Sequence, residues 1–199
     1  DKYTYEPDED SFFLMDIIIS LKNNITPRRI LEIGTGSGIV ALTTAKVFPQ
    51  ADIIATDIGS CEIAKLNAQK NEIDSITFLT TNLFQAFAQN KAQFDLILFN
   101  PPYMPSEPLY TFSYEKWRET RTWAGGQEGR EIILEFLQQV KEYITPGGLI
   151  ILLISSYNRP SSLRENLRSY QLKIIREKRK KLPFEQLFVW ILKKVQPKG

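Results

Sequence analysis

Asn100, Pro101, Pro102 and Tyr103 stand directly after an apolar run, Phe94 to Phe99. Prolines supply no N–H and fix the chain, so the carbonyls of Asn100 and Pro101 are free to face a ligand, and Asn100 adds a side-chain oxygen. Two acceptors match the two hydrogens of a planar –NH2 group. Tyr103 offers an aromatic face on which a flat group can stack. A plainer reading is also open: prolines end strands, and asparagine favours turns.

A second cluster lies upstream. Gly34-Thr35-Gly36-Ser37-Gly38 follows the apolar stretch "RRILEI" and precedes a helical one. Glycines there let a ligand approach the backbone, and a helix N-terminus presents free amides. The spacing is G-x-G-x-G, not the G-x-G-x-x-G of dinucleotide binders. Asp57, followed by Ile58, comes nineteen residues after Gly38 at the end of the next apolar stretch. An acid in that place accepts both hydroxyls of a ribose. The cluster therefore predicts a nucleoside site. The competing reading is a tight turn that needs glycine, with Asp57 capping the next helix. Glu32 lies inside the first apolar stretch, where a charge is costly without a partner. A ligand or nearby backbone amides are the candidate partners.

Composition narrows the chemistry. The chain has no histidine and one cysteine, Cys61, in 199 residues. Ser-His-Asp and Cys-His nucleophiles, cysteine-cluster zinc sites and an internal disulfide are excluded, and no metal site is expected. A net charge of +2 leaves no strong whole-chain footprint for nucleic acid. No apolar run reaches the length of a membrane span, and the acidic start "DKYTYEPDED" is unlike a signal peptide. A cytoplasmic protein of one domain, residues 1–199, is expected.

The elements that must position these residues alternate along the chain. "RRILEI", "ADIIATDI", "SITFLTTNL", "FDLILFN" and "LIILLISS" read as strands. "IVALTTAKVF", "CEIAKLNAQKNE", "REIILEFLQQVKEYI" and "RPSSLRENLRSY" read as helices. "EDSFFLMDIIISLK" adds an amphipathic helix within an N-terminal segment, residues 1–27. Such alternation predicts an α/β fold with a parallel sheet covered on both faces. The last two runs, "LKIIREKRKK" and "EQLFVWILKK", are too close for a helical crossover and predict an antiparallel hairpin. In an open sheet, ligands bind beyond the carboxyl ends of the strands near the switch point, which puts Asn100 beside the glycine loop. The irregular stretch 104–129 is too long for a plain connection and predicts a substrate loop or lid. It mixes Tyr110, Phe112, Tyr114, Trp117 and Trp123 with Glu107, Glu115, Glu119 and Glu128. That mixture suits a protein surface better than a basic nucleic-acid cleft.

"YEPDEDSFFLMD", "LEIGTGSGIV", and "FNPPY" with "WAGGQEGREIILEF" resemble the class I S-adenosylmethionine-dependent methyltransferases. Among these the chain is most similar to the HemK-related glutamine methyltransferases of translation termination factors, in their short archaeal and eukaryotic type. N-P-P-Y alone is shared with adenine methyltransferases; "YEPxEDSF" together with "WAGGxxGRE" is more specific. The resemblance implies a Rossmann-like sheet of seven strands, mostly parallel. It implies S-adenosylmethionine as cofactor, with Ser11 as a contact from the N-terminal segment and Glu32 and Gly34 near the methionine moiety. Thr35, Gly36 and Gly38 complete the glycine loop, Asp57 and Ile58 mark the ribose, and Asn82 and Leu83 flank the adenine. The family commonly has Asp where this chain has Asn82. Asn100, Pro101, Pro102 and Tyr103 would hold the substrate amide, Asn100 also touching the cofactor.

The implied reaction is methyl transfer to the side-chain amide of a glutamine in a class 1 release factor. Amino-methylation of adenine or guanine in a nucleic acid and methylation of a protein lysine remain alternatives. An intact N-P-P-Y argues against a non-enzymatic binding module. The resemblance also implies a heterodimer, in which a small zinc-binding activator protein extends the sheet along the edge strand 75–83. That stretch carries no charge and no proline. Gly125-Gly126-Gln127 spells the tripeptide that the family methylates in its substrates and is read here as loop chemistry. The basic run Arg176 to Lys181 reads as a solvated edge strand, with an acidic or RNA-rich partner as the alternative.

Overall fold

Seven strands form one sheet in the order β3-β2-β1-β4-β5-β7-β6. The structure, a computed structural model, describes residues 6–105 and 125–195; the five aromatic residues singled out in the 104–129 loop lie outside them. β1 (Arg29–Ile33), β2 (Asp52–Asp57), β3 (Ile76–Thr80), β4 (Phe94–Phe99) and β5 (Ile144–Ser155) pair in parallel. β7 (Gln186–Lys194) runs antiparallel between β5 and β6 (Leu172–Lys181). Five α-helices lie among the described residues: α1 (Glu9–Ser20), α2 (Ile39–Val47), α3 (Glu62–Lys70), α4 (Glu131–Gln139) and α5 (Pro160–Leu167). The α/β class and the C-terminal hairpin are as the sequence predicts.

The chain steps outward from β1 to β3, then returns to the centre and builds β4 on the other side of β1. Right-handed crossovers therefore place α2 and α3 on one face and α4 and α5 on the other. Strands covered on both faces are apolar throughout; Ile30, Leu31, Leu96, Ile97 and Leu98 are all fully buried. α4 buries Ile133, Phe136 and Leu137, the i, i+3, i+4 stripe of an amphipathic helix. The Phe136 ring meets Phe99 at 4.7 Å and Phe84 at 5.7 Å, and Phe84 stacks on Tyr143 at 4.3 Å. This aromatic packing fixes the end of β4, one residue before Asn100.

Two of the boundaries that differ from the sequence pattern have plain causes. α4 ends at Gln139 and tightens into a 3-10 turn, Val140–Glu142. It cannot run on, because Ile144 already pairs with Phe94. β3 spans five residues, not the nine of "SITFLTTNL". Past Thr80 the Thr81 hydroxyl accepts from the Ala86 N–H at 3.1 Å, and Leu83 turns to φ 43. Both features pull the chain off the sheet. β3 is one edge and β6 the other, so the uncharged third strand and the basic run both lie on edges. Among the described residues no helix is long and apolar enough to cross a membrane.

Candidate active site

Asn100 follows β4 at the switch point, and its amide is held by a partner ninety residues away. Its Nδ2 donates to Asp10 Oδ2 at 3.1 Å. An ionised carboxylate only accepts, so the amide nitrogen must face Asp10 and the oxygen must face away. Asn100 Oδ1 is shielded from solvent and has no hydrogen-bond partner among the described residues. An orphaned buried acceptor costs about 1–3 kcal/mol, so this oxygen is open to a donor that the described residues do not supply. Asp10 is itself 4% exposed and is fixed from its other oxygen, which accepts from the Ser11 N–H at 2.5 Å and the Ser11 hydroxyl at 3.2 Å. Ser11 thus turns its hydroxyl to Asp10. Asp10 stood within the "YEPDEDSF" stretch, but an acid in the first turn of a helix is ordinary. Nothing in the local pattern marked it as the partner of Asn100.

The glycine loop lies against the same spot. A Cβ added to Gly34 would sit 3.6 Å from the Asn100 carbonyl oxygen, an ordinary contact. One on Gly36 would meet nothing within 4 Å, so the loop borders open space there. Gly38 is different: its φ is 85, and a Cβ would press on Ala64 Cβ at 2.9 Å. It is required for the close packing of α2 on α3. The loop is pinned by the Thr35 N–H to Thr56 O at 2.8 Å and by Asn67 Nδ2 to Ser37 O at 2.8 Å. Asp57, at the end of β2, accepts from the Gly36 N–H at 2.9 Å and the Gly59 N–H at 2.8 Å. Each oxygen keeps a lone pair for a further donor. Ile58 beside it is 53% exposed, an apolar side chain open to solvent.

Glu32 is buried one layer beneath. Burial pushes its carboxyl up to about 8, and the charge of Asp57 acts in the same direction. The Thr35 hydroxyl, which donates to Glu32 Oε2 at 2.9 Å, and the Ala41 backbone in the first turn of α2 pull the other way without offsetting burial. Such a carboxyl is poised to ionise when a cation comes near. Asn82 is half-buried, and Leu83 is a non-glycine residue with positive φ. A strained backbone of that kind persists where the surroundings hold it, and it clusters at ligand sites.

Tyr103 is 9% exposed and packs into the core, so its ring presents little open face. Its carbonyl has a definite task. Asn158, fully buried, donates to Tyr103 O at 2.7 Å and to Gly129 O at 2.6 Å, while its Oδ1 accepts from the Ser155 N–H at 2.7 Å. One side chain thereby ties the residues after Pro102 to the turn before α4. The glycines of "GGQEG" make that approach possible. A Cβ on Gly125 would lie 2.5 Å from Pro102 O, and one on Gly129 would lie 2.5 Å from Tyr103 O. Neither Asn158 nor these glycine contacts were legible as site features, since each depends on segments far apart in the chain.

A family model described as the methyltransferase small domain matches residues 5–111. A Methanocaldococcus jannaschii protein, named provisionally as protein N5-glutamine methyltransferase MJ0928, is 35% identical over 93% of this chain and 89% of its own. Human methyltransferase HEMK2 is 32% identical over 80% of this chain and 75% of its own. The chain belongs to the HemK-type class I methyltransferases. The fold agrees: Mtq2 of E. cuniculi, solved with Trm112 as the complex that methylates the termination factor eRF1, superposes with a TM-score of 0.68 at 22% identity. That match covers 98% of this chain and 99% of that one.

Membership makes the chain an enzyme that takes its methyl group from S-adenosylmethionine, and the residues present fit that donor. The open side of Gly36 and the exposed backbone of Gly34 leave room for it. Asp57 suits the ribose hydroxyls and the exposed Ile58 suits the face of a purine, whereas the Leu83 side chain is buried in the core and offers no open face. Glu32 suits the cationic methionine end. The Asn100 backbone lies against Gly34.

Proposed function

We propose that this methyltransferase acts on the side-chain amide nitrogen of a glutamine in a class 1 translation termination factor. The observation that carries this reading is the buried, unpartnered oxygen of Asn100, aimed by Asp10. When bound, S-adenosylmethionine supplies an electrophilic methyl on its sulfonium. An amide nitrogen is a poor nucleophile because its lone pair is delocalised. Asn100 Oδ1 accepts one of its hydrogens, turns the lone pair toward the methyl and stabilises the positive charge that grows on nitrogen. Pro101 and Pro102 keep competing N–H donors away from that oxygen. Transfer would form the N–C bond at the expense of the donor's S–C bond, and the proton would leave to water once the nitrogen carries four bonds.

A lysine would have to lose a proton before attack. Asp10, the carboxylate bonded to Asn100, is already engaged by Ser11 and Asn100, so the arrangement suits a neutral amide better. The names of the relatives support glutamine as well. The loop 104–129 is assigned to the substrate, and a termination factor places the enzyme in the cytoplasm.

β3 gives the partner reading its support. It is an edge strand without charge or proline, which natural sheets seldom leave uncovered. The Mtq2 complex with Trm112 supports a small protein partner; in our reading it is an activator that adds a strand at β3, and any zinc resides in that partner. The deciding experiment is transfer of labelled methyl from S-adenosylmethionine, with termination factor, RNA, DNA and histone-like peptides offered in parallel. Label on a termination-factor glutamine is expected. Label confined to a nucleobase or a lysine overturns the reading.

A further inference from the structure

Phe184 is 91% exposed, at the tip of the β6–β7 hairpin. An apolar ring in water has no role in the fold, yet the backbone that carries it is firmly held. The Leu182 N–H donates to Glu185 O at 2.8 Å, and Tyr157 Oη donates to Phe184 O at 3.2 Å. The Ser155 hydroxyl donates to Glu185 Oε2 at 2.5 Å, and the Gln186 N–H donates to Ser156 Oγ at 3.1 Å. Pro183 fixes the chain immediately before the ring. A rigid backbone presenting a free aromatic side chain loses little entropy on docking, which is the character of an interface anchor.

The tip also stands in the right place. Ser155 ends β5 on the same side of the sheet as Asn100, and it pairs with Leu187 of β7. From β4 to β7 is two strand spacings, about 10 Å. Tyr157, 38% exposed, bonds the tip, and Met104, 37% exposed, lies four residues past Asn100. Asn158 bonds Tyr103 from the residue next to Tyr157, so the segment that holds the tip is tied to the loop after Asn100.

We propose that Phe184 is a docking anchor for the folded protein substrate, received by an apolar pocket with acidic residues around it. The proposal rests on the reading that the acceptor is a glutamine of a folded protein. A glutamine side chain is short, so its protein must lie directly on the carboxyl face of the sheet. A standard interface of about 800 Å² per partner extends roughly 30 Å across and reaches the hairpin tip. The acidic surround follows from charge. β6 leads into the tip with six cations and one acid, a net +5 against +2 for the whole chain. That one acid, Glu177, is already bonded by Arg164 and Arg179. Lys178 and Lys181 are exposed and free to meet carboxylates. Protection of an edge strand explains lysines on β6, but not a bare phenylalanine beside them.

The test compares wild type and Phe184→Ala, each with its activator, on two substrates. One is the folded termination factor, and the other is a peptide of about a dozen residues spanning its acceptor glutamine. The expected result is a KM for the folded protein raised about thirtyfold, the scale of an interface anchor. The turnover number, S-adenosylmethionine affinity and peptide methylation should not change. An unchanged KM for the folded protein, or an equal loss on protein and peptide, overturns the proposal. So does a variant that keeps its protein KM while losing affinity for a single-stranded RNA probe, because the surface would then serve RNA. A wild-type enzyme that binds S-adenosylmethionine but methylates neither substrate refutes the glutamine reading itself, whatever Phe184 does.

Discussion

Glu32→Gln should make the protein more stable in base and leave it unchanged in acid. The glutamine keeps the shape of the side chain and can still accept from the Thr35 hydroxyl, but it cannot ionise. In the wild type the folded carboxyl titrates at about 8 against an ordinary 4.5. Below pH 4.5 both folded and unfolded chains hold the proton, and the group contributes no pH dependence. Between about 4.5 and about 8 the unfolded chain has released the proton while the native state retains it. The unfolded state then binds fewer protons, and stability falls as pH rises. Above about 8 the loss is complete. At about 1.4 kcal/mol for each unit, the gap amounts to something on the order of 5 kcal/mol. Urea denaturation of both proteins at pH 5, 7 and 9 isolates this contribution, because every other titrating group cancels in the difference. The variant should gain on the wild type by roughly 3–4 kcal/mol between pH 5 and 9. Saturating S-adenosylmethionine should shrink that gain, since its cationic end favours the carboxylate. An identical pH dependence for the two proteins refutes the account of Glu32.

Two further outcomes test the supports of the site. Asp10→Asn leaves a residue that can donate as well as accept, so the Asn100 amide loses its fixed direction. Turnover should fall about tenfold, the worth of one hydrogen bond, with S-adenosylmethionine affinity by calorimetry unchanged; an equal fall in affinity would place Asp10 in the cofactor site instead. On the edge strand, Thr77 is exposed whereas Phe78 packs against the core. Thr77→Glu should therefore abolish co-purification with the activator and leave S-adenosylmethionine binding intact, and a heterodimer that survives the substitution excludes strand addition at β3.

The parts legible in the sequence are those whose chemistry is local. Gly38 is needed for a turn that its own φ of 85 demands. Asp57 and Asn100 each follow directly from the end of a strand, and the strand pattern located both. Edge positions were legible too, because the order of parallel strands follows from crossover rules. The supports were not. Asp10 meets Asn100 across ninety residues, and Asn158 reaches Tyr103 across fifty-five. No periodicity encodes such pairs. Ser11, a cofactor contact by resemblance, bonds to Asp10, and only the packed α1 shows this. β3 is shorter than its pattern implies: threonine, isoleucine and phenylalanine favour strands, but the Thr81 hydrogen bond and the turn at Leu83 end it early.

The central claim is that Asn100 Oδ1 makes the acceptor amide nucleophilic. Single-turnover methyl transfer by Asn100→Ala, measured beside its S-adenosylmethionine affinity, tests it directly. Losing one positioned acceptor should slow transfer by about 10²–10³-fold while affinity changes far less. Transfer at the wild-type rate by a folded Asn100→Ala protein would contradict the account.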